Sequence, residues 1–417
     1  MQREREFAEK LEQILPPRLV DFLKRAGEKA AERNEQAYIV GGVVRDLLLC
    51  IDNFDIDITV EGNAVALARE LSRSAFDRIT VHKQFNTATI KFDQWNIDFV
   101  TARSEIYEYP GALPKITPAS LEEDLKRRDF TINAMAIGLS GKNYGELYDP
   151  CNGKTDLQSR NIRILHEKSF VDDSTRIWRG LRYEQRLGFQ MEQRTLELLI
   201  RDIPMLDTVS GERIRYEIEC ILKEKYPERV FSRAFRLGVL GSLNTFIKFD
   251  TRKEEWFLRA REMNCPNVPS DLLYWLLFTY ELDMENREKL IARLHLPKQI
   301  AQALRDCHAI KERLEMLAAP DITNSQIYRL LCAYSPSAII ANIIAVEEDE
   351  SRKALNLYIE KLKNVKAIIS GSDLLKMGFE QGPQLKELLD AVLDARLNGK
   401  ALTKEDEIAI VKKMLAG

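Results

Sequence analysis

The stretch Tyr38–Val60, YIVGGVVRDLLLCIDNFDIDITV, constrains this chain more than any other. From Phe54 to Val60, apolar Phe54, Ile56, Ile58 and Val60 alternate with Asp55, Asp57 and Thr59. Successive side chains on a strand point to opposite faces, so the pattern predicts a strand with both aspartates together on its polar face. Two carboxylates separated by one residue suit a hard divalent cation such as Mg²⁺. Upstream, Gly41-Gly42 follow apolar Tyr38–Val40 and precede a predicted short helix, Val43–Leu49, with Arg45 and Asp46 in its first turn. A glycine pair there lets backbone N–H groups approach an anion, and the helix start adds favourable charge. Alone, an Asp-Xaa-Asp is usually the wet face of an edge strand, and a Gly-Gly a tight turn. Their order and spacing carry the information.

With 417 residues the chain has room for two or more packed modules. Its 45% apolar and 30% charged content are ordinary for a globular protein. A net charge of −3 excludes wholesale electrostatic coating of nucleic acid, so any RNA site must be a local basic face. Cys50, Cys151, Cys220, Cys265, Cys307 and Cys332 are scattered with no CxxC pair, which excludes the usual structural zinc spacing and predicts reduced thiols. The start, MQREREFAEKLEQ, has no apolar signal region, and no run approaches a membrane span. The expected compartment is the cytoplasm, with no membrane partner.

Along the chain, residues 3–34 read as helical, with Phe7, Leu11, Leu15, Leu19 and Phe22 at helical spacing and Pro16-Pro17 breaking the run. Asn63 is placed to cap a helix carrying Val65, Ala68 and Leu71. Thr87–Phe92 and Trp95–Thr101 predict a hairpin about Asp93-Gln94, with Ile97 and Phe99 on one face and Asp98 on the other. Residues 102–126, with three prolines and a glycine, read as a functional loop.

In RRDFTINAMA (Arg127–Ala136) the arginine fork suits a triphosphate, and Asp129 and Asn133 lie i,i+4 on a predicted helical turn where they could bond a ribose hydroxyl. In FVDDSTRIWRGLRYEQRLGF (Phe170–Phe189) a helix is expected from Asp172 or Asp173, with acidic residues in its first turn. Asp173 and Arg176, three apart, become surface neighbours; Arg179, Arg182 and Arg186 continue a basic stripe, and Ile177 and Leu181 an apolar one. A carboxylate accepting from an exocyclic amine beside an arginine donating to a ring acceptor matches A and C and mismatches G and U. Beyond 225, Trp256, Phe257, Leu273 and Trp275–Phe278 point to core helices. Near the end, Pro383 suits a first helical turn, Gly399 a stop, and Leu385, Leu388, Leu389, Val392 and Leu393 a packing stripe.

The ordered set GG-x-x-RD with DxD, then RRDFTINAM, DDSTR and finally Glu212-Arg213 with Glu217 in SGERIRYEIECIL resembles the signature of polymerase-β-like nucleotidyltransferases. Within them it resembles class II tRNA nucleotidyltransferases and bacterial poly(A) polymerases, over roughly residues 36–225. The resemblance implies an α+β head with a mixed sheet, followed by an all-helical neck, body and tail. The expected divisions are a helical lead-in at 1–35, the catalytic head at 36–145, a nucleotide-recognising neck at 146–225, a body at 226–300 and a tail meeting tRNA at 301–417. It implies two Mg²⁺ ions on Asp55, Asp57 and Asp98, and nucleotide contacts from Gly41, Gly42, Arg45, Arg128, Asp129, Asn133, Asp173, Arg176, Arg179 and Arg182. Asp173 and Arg176 fall on the template positions, and Glu212, Arg213 and Glu217 on residues that brace the template helix. ATP and CTP are the implied substrates and the tRNA 3′ end the implied acceptor.

There are two departures. Cys50 stands where the family usually has glycine, and Asp172 where many members have glutamate. No HD dipeptide occurs, which argues against an attached metal phosphohydrolase domain. The motifs leave open whether CCA, CC or only A is added, and whether the product is a poly(A) tail. TARSE…YPGALP resembles A-adding members, so terminal A addition is the expectation. Oligomeric state is not readable.

Overall fold

The computed structural model describes residues 2–72, 78–82, 86–263 and 268–415. Cys265 lies outside them; the other five cysteines carry free thiols. The chain forms two compact units, Met1–Glu217 and Ile218–Gly417.

The first unit is built on a seven-stranded mixed sheet. Its strands are β1 (Gln36–Val40), β2 (Ile56–Glu61), β3 (Arg78–His82), β4 (Thr87–Phe92), β5 (Trp95–Thr101), β8 (Ala136–Gly138) and β9 (Leu147–Tyr148); β6 (Arg103–Ile106) and β7 (Lys115–Pro118) form a separate hairpin. The sheet order is β3-β4-β5-β2-β1-β8-β9, with β2 and β5 parallel and the other neighbours antiparallel. The β4–β5 hairpin turns at Asp93-Gln94 as the alternation requires.

Period-two alternation splits the residues between the faces. Ile39, Ile56, Ile58, Val60, Ile97 and Phe99 join a large core with Leu11 of α1 (Gln2–Ile14), Leu19 and Phe22 of α2 (Pro17–Glu32), Leu15 between those helices, and Leu67 from α4 (Ala64–Leu71). The expected lead-in therefore completes the head rather than preceding it, because those leucines cover the apolar face of the sheet. Asn63 caps α4, its side chain accepting from the Ala66 N–H. On the other face Tyr38 and Val40 pack with Leu121 and Leu125 of α5 (Leu121–Lys126).

Three local expectations change. β2 starts at Ile56, so Phe54 and Asp55 precede the strand and Phe54 is 38% exposed instead of joining the core. Residues 102–126 are not a loop: they form the β6–β7 hairpin and α5, whose capping box pairs Ser120 with Glu123. The predicted 170s helix is broken. Asp172 ends the single turn α7 (Ser169–Asp172), after α6 (Gly153–Gln158), and Asp173 is extended at φ −140°. The long helix α8 (Thr175–Leu187) begins only after Asp173, followed by α9 (Gln193–Asp202) and α10 (Gly211–Leu222).

The second unit is helical. Phe231, Phe249, Phe257 and Phe278 form its aromatic centre, with the Phe231 and Phe278 rings 4.5 Å apart. The helix Pro336–Ala345 packs on both Ser270–Phe278 and Lys298–Lys311, so the expected division at 300 does not coincide with a packing boundary. A smaller cluster holds Ile369, Leu374, Leu388, Val392 and Val411, which accounts for the predicted leucine stripe; the helix carrying it runs Pro383–Leu397. Among the described residues, no single helix is long and apolar enough to cross a membrane.

Candidate active site

A cleft of about 900 Å³ opens in the first unit, lined by eight arginines and seven carboxylates, among them Asp55 and Asp57. Positive and negative charge are thus nearly balanced, and the wall acts through individually placed groups. Asp57 projects from β2 away from the Ile56–Ile58 face. Asp55 is held just before the strand: its N–H donates to Asn53 Oδ1 at 2.9 Å, while Asn53 Nδ2 donates to Asp46 at 2.7 Å. Burial pushes the Asp57 carboxyl up to about 6, with Arg128 opposing and the Asp55 and Asp98 charges adding repulsion.

Asp98 lies opposite Asp57 in the β2–β5 register, as the alternation predicts. It does not line the cleft. Thr89 faces it across β4–β5 and donates its hydroxyl to Asp98 Oδ1 at 2.5 Å. Among the described residues no group of three or more His, Cys, Asp or Glu is gathered so as to hold a metal ion. The cleft offers a pair, Asp55 and Asp57, rather than the expected trio. An all-oxygen pair whose mutual repulsion a cation would relieve fits Mg²⁺, which takes one or two carboxylates and completes its shell with water and phosphate oxygens.

Gly41 adopts φ +77°, and a Cβ there would come 2.8 Å from Arg128 Nη1. The glycine pair therefore admits an arginine beside the backbone at the start of α3 (Gly42–Leu48). Arg128 gives Nη2 to Asp124 at 3.0 Å, while its buried Nε has no partner among the described residues. Burial works against the Asp124 charge, but Arg128 and Arg127 outweigh it and hold the carboxyl below its ordinary range.

Arg45 and Asp129 behave differently from expectation. Arg45 is buried, with Nε and Nη2 on Asp46 and Nη1 on Asn133 Oδ1. Asp129 Oδ1 accepts from the Phe130 N–H and Asn133 Nδ2, and its Oδ2 from Arg179 Nε and Nη2 at 2.8 and 2.6 Å. Four donors saturate a carboxylate, so Asp129 fixes Arg179 and Asn133 instead of presenting a free acceptor to a sugar. Burial opposes its charge, yet Arg179 and Asn133 hold it at about 2. The predicted helical turn is a 3₁₀ turn, Thr131–Asn133.

Asp173 and Arg176 both line the cleft, with no ion pair between them among the described residues. Asp173 Oδ1 accepts from the Thr175 N–H and hydroxyl and pairs with Arg213 Nη2 at 2.8 Å. Among the described residues its Oδ2 accepts nothing. Arg176 is buried; Nη1 reaches Ser169 and Nη2 the Arg127 carbonyl at 2.7 Å, leaving Nε. Glu217 lies 3.5 Å from Arg179 and 3.4 Å from Arg182, and burial raises its pKa despite both arginines. Arg213 thus pairs with Asp173 just ahead of α8 and Glu217 with Arg179 and Arg182 on it, and Glu212 lines the same wall.

Residues 37–163 match the family model described as the poly A polymerase head domain, and residues 188–247 the one described as a probable RNA and SrmB-binding site of polymerase A. An A-adding tRNA nucleotidyltransferase of Geobacter sulfurreducens is 36% identical over 99% of this chain and 49% of its own length. The chain thus spans about half of that relative. One from Halalkalibacterium halodurans is 31% identical over 94% of this chain and 92% of its own length. The chain belongs to the family of class II tRNA nucleotidyltransferases and bacterial poly(A) polymerases. A solved Thermotoga maritima CCA-adding enzyme complexed with tRNA is similar throughout, with a TM-score of 0.79, 31% identity, and coverage of 100% of this chain and 99% of that one.

Beyond this family's motifs, the cleft wall includes Asn53, Glu105, Tyr107, Tyr183 and Tyr216, none of which the sequence singled out. Tyr183 carries Arg45, Arg179 and Arg182 around its ring at 5.1, 5.8 and 5.3 Å. Its position on the face of α8 shared with Arg179 was the available signal. Cys50 has φ +57°, which explains why glycine is usual there.

Proposed function

We propose that the protein adds nucleotides to the 3′ end of tRNA without a nucleic-acid template, the terminal A among them, in the cytoplasm. One observation carries this most: a single cleft holds the Asp55–Asp57 pair, Arg128 beside Gly41, and the Asp173–Arg176 pair with, among the described residues, one unused acceptor and one unused donor. The names of the relatives support tRNA as acceptor and A as an added base; that of the solved neighbour supports C as well.

In the reaction the RNA 3′-hydroxyl oxygen bonds to the α-phosphorus, the bond to the β-phosphate oxygen breaks, and pyrophosphate leaves as the hydroxyl proton is lost. Asp55 and Asp57 would hold Mg²⁺, with Asp98 beside them in register. When bound, Mg²⁺ lowers the hydroxyl pKa and stabilises the leaving pyrophosphate. Arg128, whose Nη1 lies beside Gly41 where no side chain intrudes, would meet the phosphates there. Asp173 Oδ2 accepts from the exocyclic amine of A or C, and Arg176 Nε donates to the neighbouring ring nitrogen. G and U would set acceptor against acceptor and donor against donor, costing ~1–3 kcal/mol per unpaired group. Asp129 and Glu217 hold Arg179 and Arg182 in place, and Arg45 holds Asn133.

Three tRNA forms, ending before CCA, after C and after CC, are offered with each of the four nucleotides, beside an unstructured RNA with ATP. Incorporation of A on the tRNA ending in CC, abolished in Asp55→Ala and Asp57→Ala, is the expected result. Processive tailing of the unstructured RNA would instead mark a poly(A) polymerase, and near-normal turnover by either variant would remove the metal assignment.

A further inference from the structure

Strand β2 divides the polar face of the sheet in two. On its β1 side lies the arginine-lined cleft, whose wall includes Gly41, Asp55 and Asp57 but no residue of β3, β4 or β5. On its β5 side the same face is exposed. Ile79 and Val81 turn toward the core, so Arg78, Thr80 and His82 share the other face of β3, and all three are exposed. Register sets one side chain from each of three strands in a row: Asn96 of β5 faces Lys91 of β4, and Lys91 faces Arg78 of β3. Asn96 and Lys91 are exposed like Arg78, and among the described residues neither cation forms an ion pair. The neighbouring row holds Asp57, Asp98 and Thr89. A hollow of about 410 Å³ opens where the first row meets β2, lined by Phe54, Asp55, Gln94, Trp95 and Asn96. Among these, Asp55 alone also lines the cleft.

We propose that the exposed face of β5, β4 and β3 carries the 3′ strand of the acceptor RNA, with its last nucleoside in the Phe54 hollow and the phosphates behind it on Lys91 and Arg78. This rests on the reading that the protein extends an RNA 3′ end. An in-line displacement brings the attacking oxygen in opposite the leaving one. Pyrophosphate departs toward the arginines on the β1 side, so the hydroxyl arrives from the β5 side, past Asp98. The two cavities differ in kind accordingly. The cleft holds eight arginines, as a triphosphate requires, whereas the hollow has an aromatic ring, two neutral amides and no cation. An exposed ring takes any base by stacking, and the Gln94 and Asn96 amides both donate and accept. Phe54, 38% exposed at the mouth of β2, is thus available for that stack. Neighbouring strands lie ~4.8 Å apart, which sets Lys91 and Arg78 ~5 and ~10 Å beyond Asn96, on a path leading from Asp55 to the sheet edge.

The test measures binding of tRNA ending in CC to the full chain, by fluorescence anisotropy without nucleotide, in wild type, Phe54→Ala, Lys91→Ala, Arg78→Ala and Arg69→Ala. That tRNA is offered in three forms: unmodified, lacking its last base, and with neutral methylphosphonates at its last two linkages. Wild type is expected to bind the baseless form about tenfold more weakly, the scale of one lost base stack, and Phe54→Ala to bind it and the unmodified form alike. Lys91→Ala and Arg78→Ala should each flatten the slope of log K against log salt by ~0.7, one single-strand contact. Both should also lose less than wild type on the methylphosphonate form and keep the KM for ATP. Arg69→Ala, which removes an exposed cation from α4 on the opposite face of the sheet, keeps wild-type values. A merely structural effect would weaken all three RNA forms by one factor, and that result overturns the inference. So does wild-type binding by Phe54→Ala, Lys91→Ala and Arg78→Ala while wild type still extends the tRNA. If Phe54→Ala does not fold, the two cation variants decide. Failure of the wild type to extend any RNA overturns the reading of function, and this inference with it.

Discussion

Asp129 shows how a residue can sit in a catalytic motif and still act on the protein alone. With Arg179 on one oxygen and Asn133 on the other, it anchors an ion pair whose carboxylate is buried and whose arginine is 31% exposed. Asp129→Asn would turn an amide hydrogen toward a donor and strip Arg179 of its closest anion. The expected cost is about 3 kcal/mol, the low end for a broken buried pair, because Glu217 remains 3.5 Å away. The pH dependence has a definite sign. The folded carboxyl titrates at about 2, below the ordinary value. Its contribution is therefore complete above the unfolded pKa of ~3.9 and lost as pH falls through the folded one. Urea unfolding at pH 7 and at pH 3 should show the wild-type advantage shrinking at the lower pH; a constant difference would mean packing, not charge, is what the variant loses. Cys50 gives a second residue-scale test. At φ +57° a side chain costs ~1 kcal/mol or more. Cys50→Gly should hold or raise the melting temperature and Cys50→Val lower it; equal effects would show that the turn relaxes freely.

Among the elements, α5 links sequence to site most directly. Its capping box starts at Ser120, and four residues later the same helix presents Asp124 to Arg127 and Arg128. Ser120→Ala should cost ~1 kcal/mol of local stability and loosen Arg128, raising the KM for ATP by up to about fivefold, the factor such an energy converts to. Ser120→Asp, which keeps the cap, should restore it; an unchanged KM in Ser120→Ala would separate the cap from the site. This helix was readable and was missed, because Pro110, Pro114 and Pro118 outweighed the Ser-x-x-Glu signal. Elements with strong periodicity were legible to the residue: the β4–β5 hairpin and its turn, the Asn63 cap, and the break at Pro16-Pro17. At 172–173 the expected single helix is two: Asp172 closes α7, and Asp173, extended at φ −140°, starts α8 by accepting the Thr175 N–H on its carboxylate. The motif residues other than Asp98 gather in one cleft, while wall residues such as Asn53, Glu105 and Tyr107 carried no motif. The partners of the motif residues were not legible, since Arg179 meets Asp129 across 50 residues and Arg213 meets Gly111 across 102, distances over which no local pattern operates.

At the scale of the whole molecule, an acidic chain with a near-neutral cleft must engage a polyanion through few contacts. The net charge is −3, and carboxylates nearly match arginines around the site. Each phosphate contact adds ~0.7–0.9 to the slope of log K against log salt, so tRNA binding should weaken only gently with ionic strength. The C-terminal cluster is where such contacts can be removed without touching the head. Its interior, Leu374, Leu388, Val392 and Val411, is internally packed, and Glu407 caps the incoming chain at Ile368 and Ile369. Cutting the chain before Ile368 removes this cluster almost whole. It also strands Asn324 and Ser325, which bond Leu397 and Asn398, so the helix Asn324–Leu331 should fray. Residues 1–217 form their own compact unit, so the ATP site should persist. The truncated protein is expected to keep the KM for ATP within about twofold while the KM for tRNA rises at least about tenfold, ~1.4 kcal/mol of lost binding, and the salt slope becomes shallower. Steady-state kinetics at several potassium chloride concentrations reads all three. A higher KM for tRNA with an unchanged slope would mean that the cluster shapes the acceptor site without touching phosphates, and an unchanged KM that it serves only to pack.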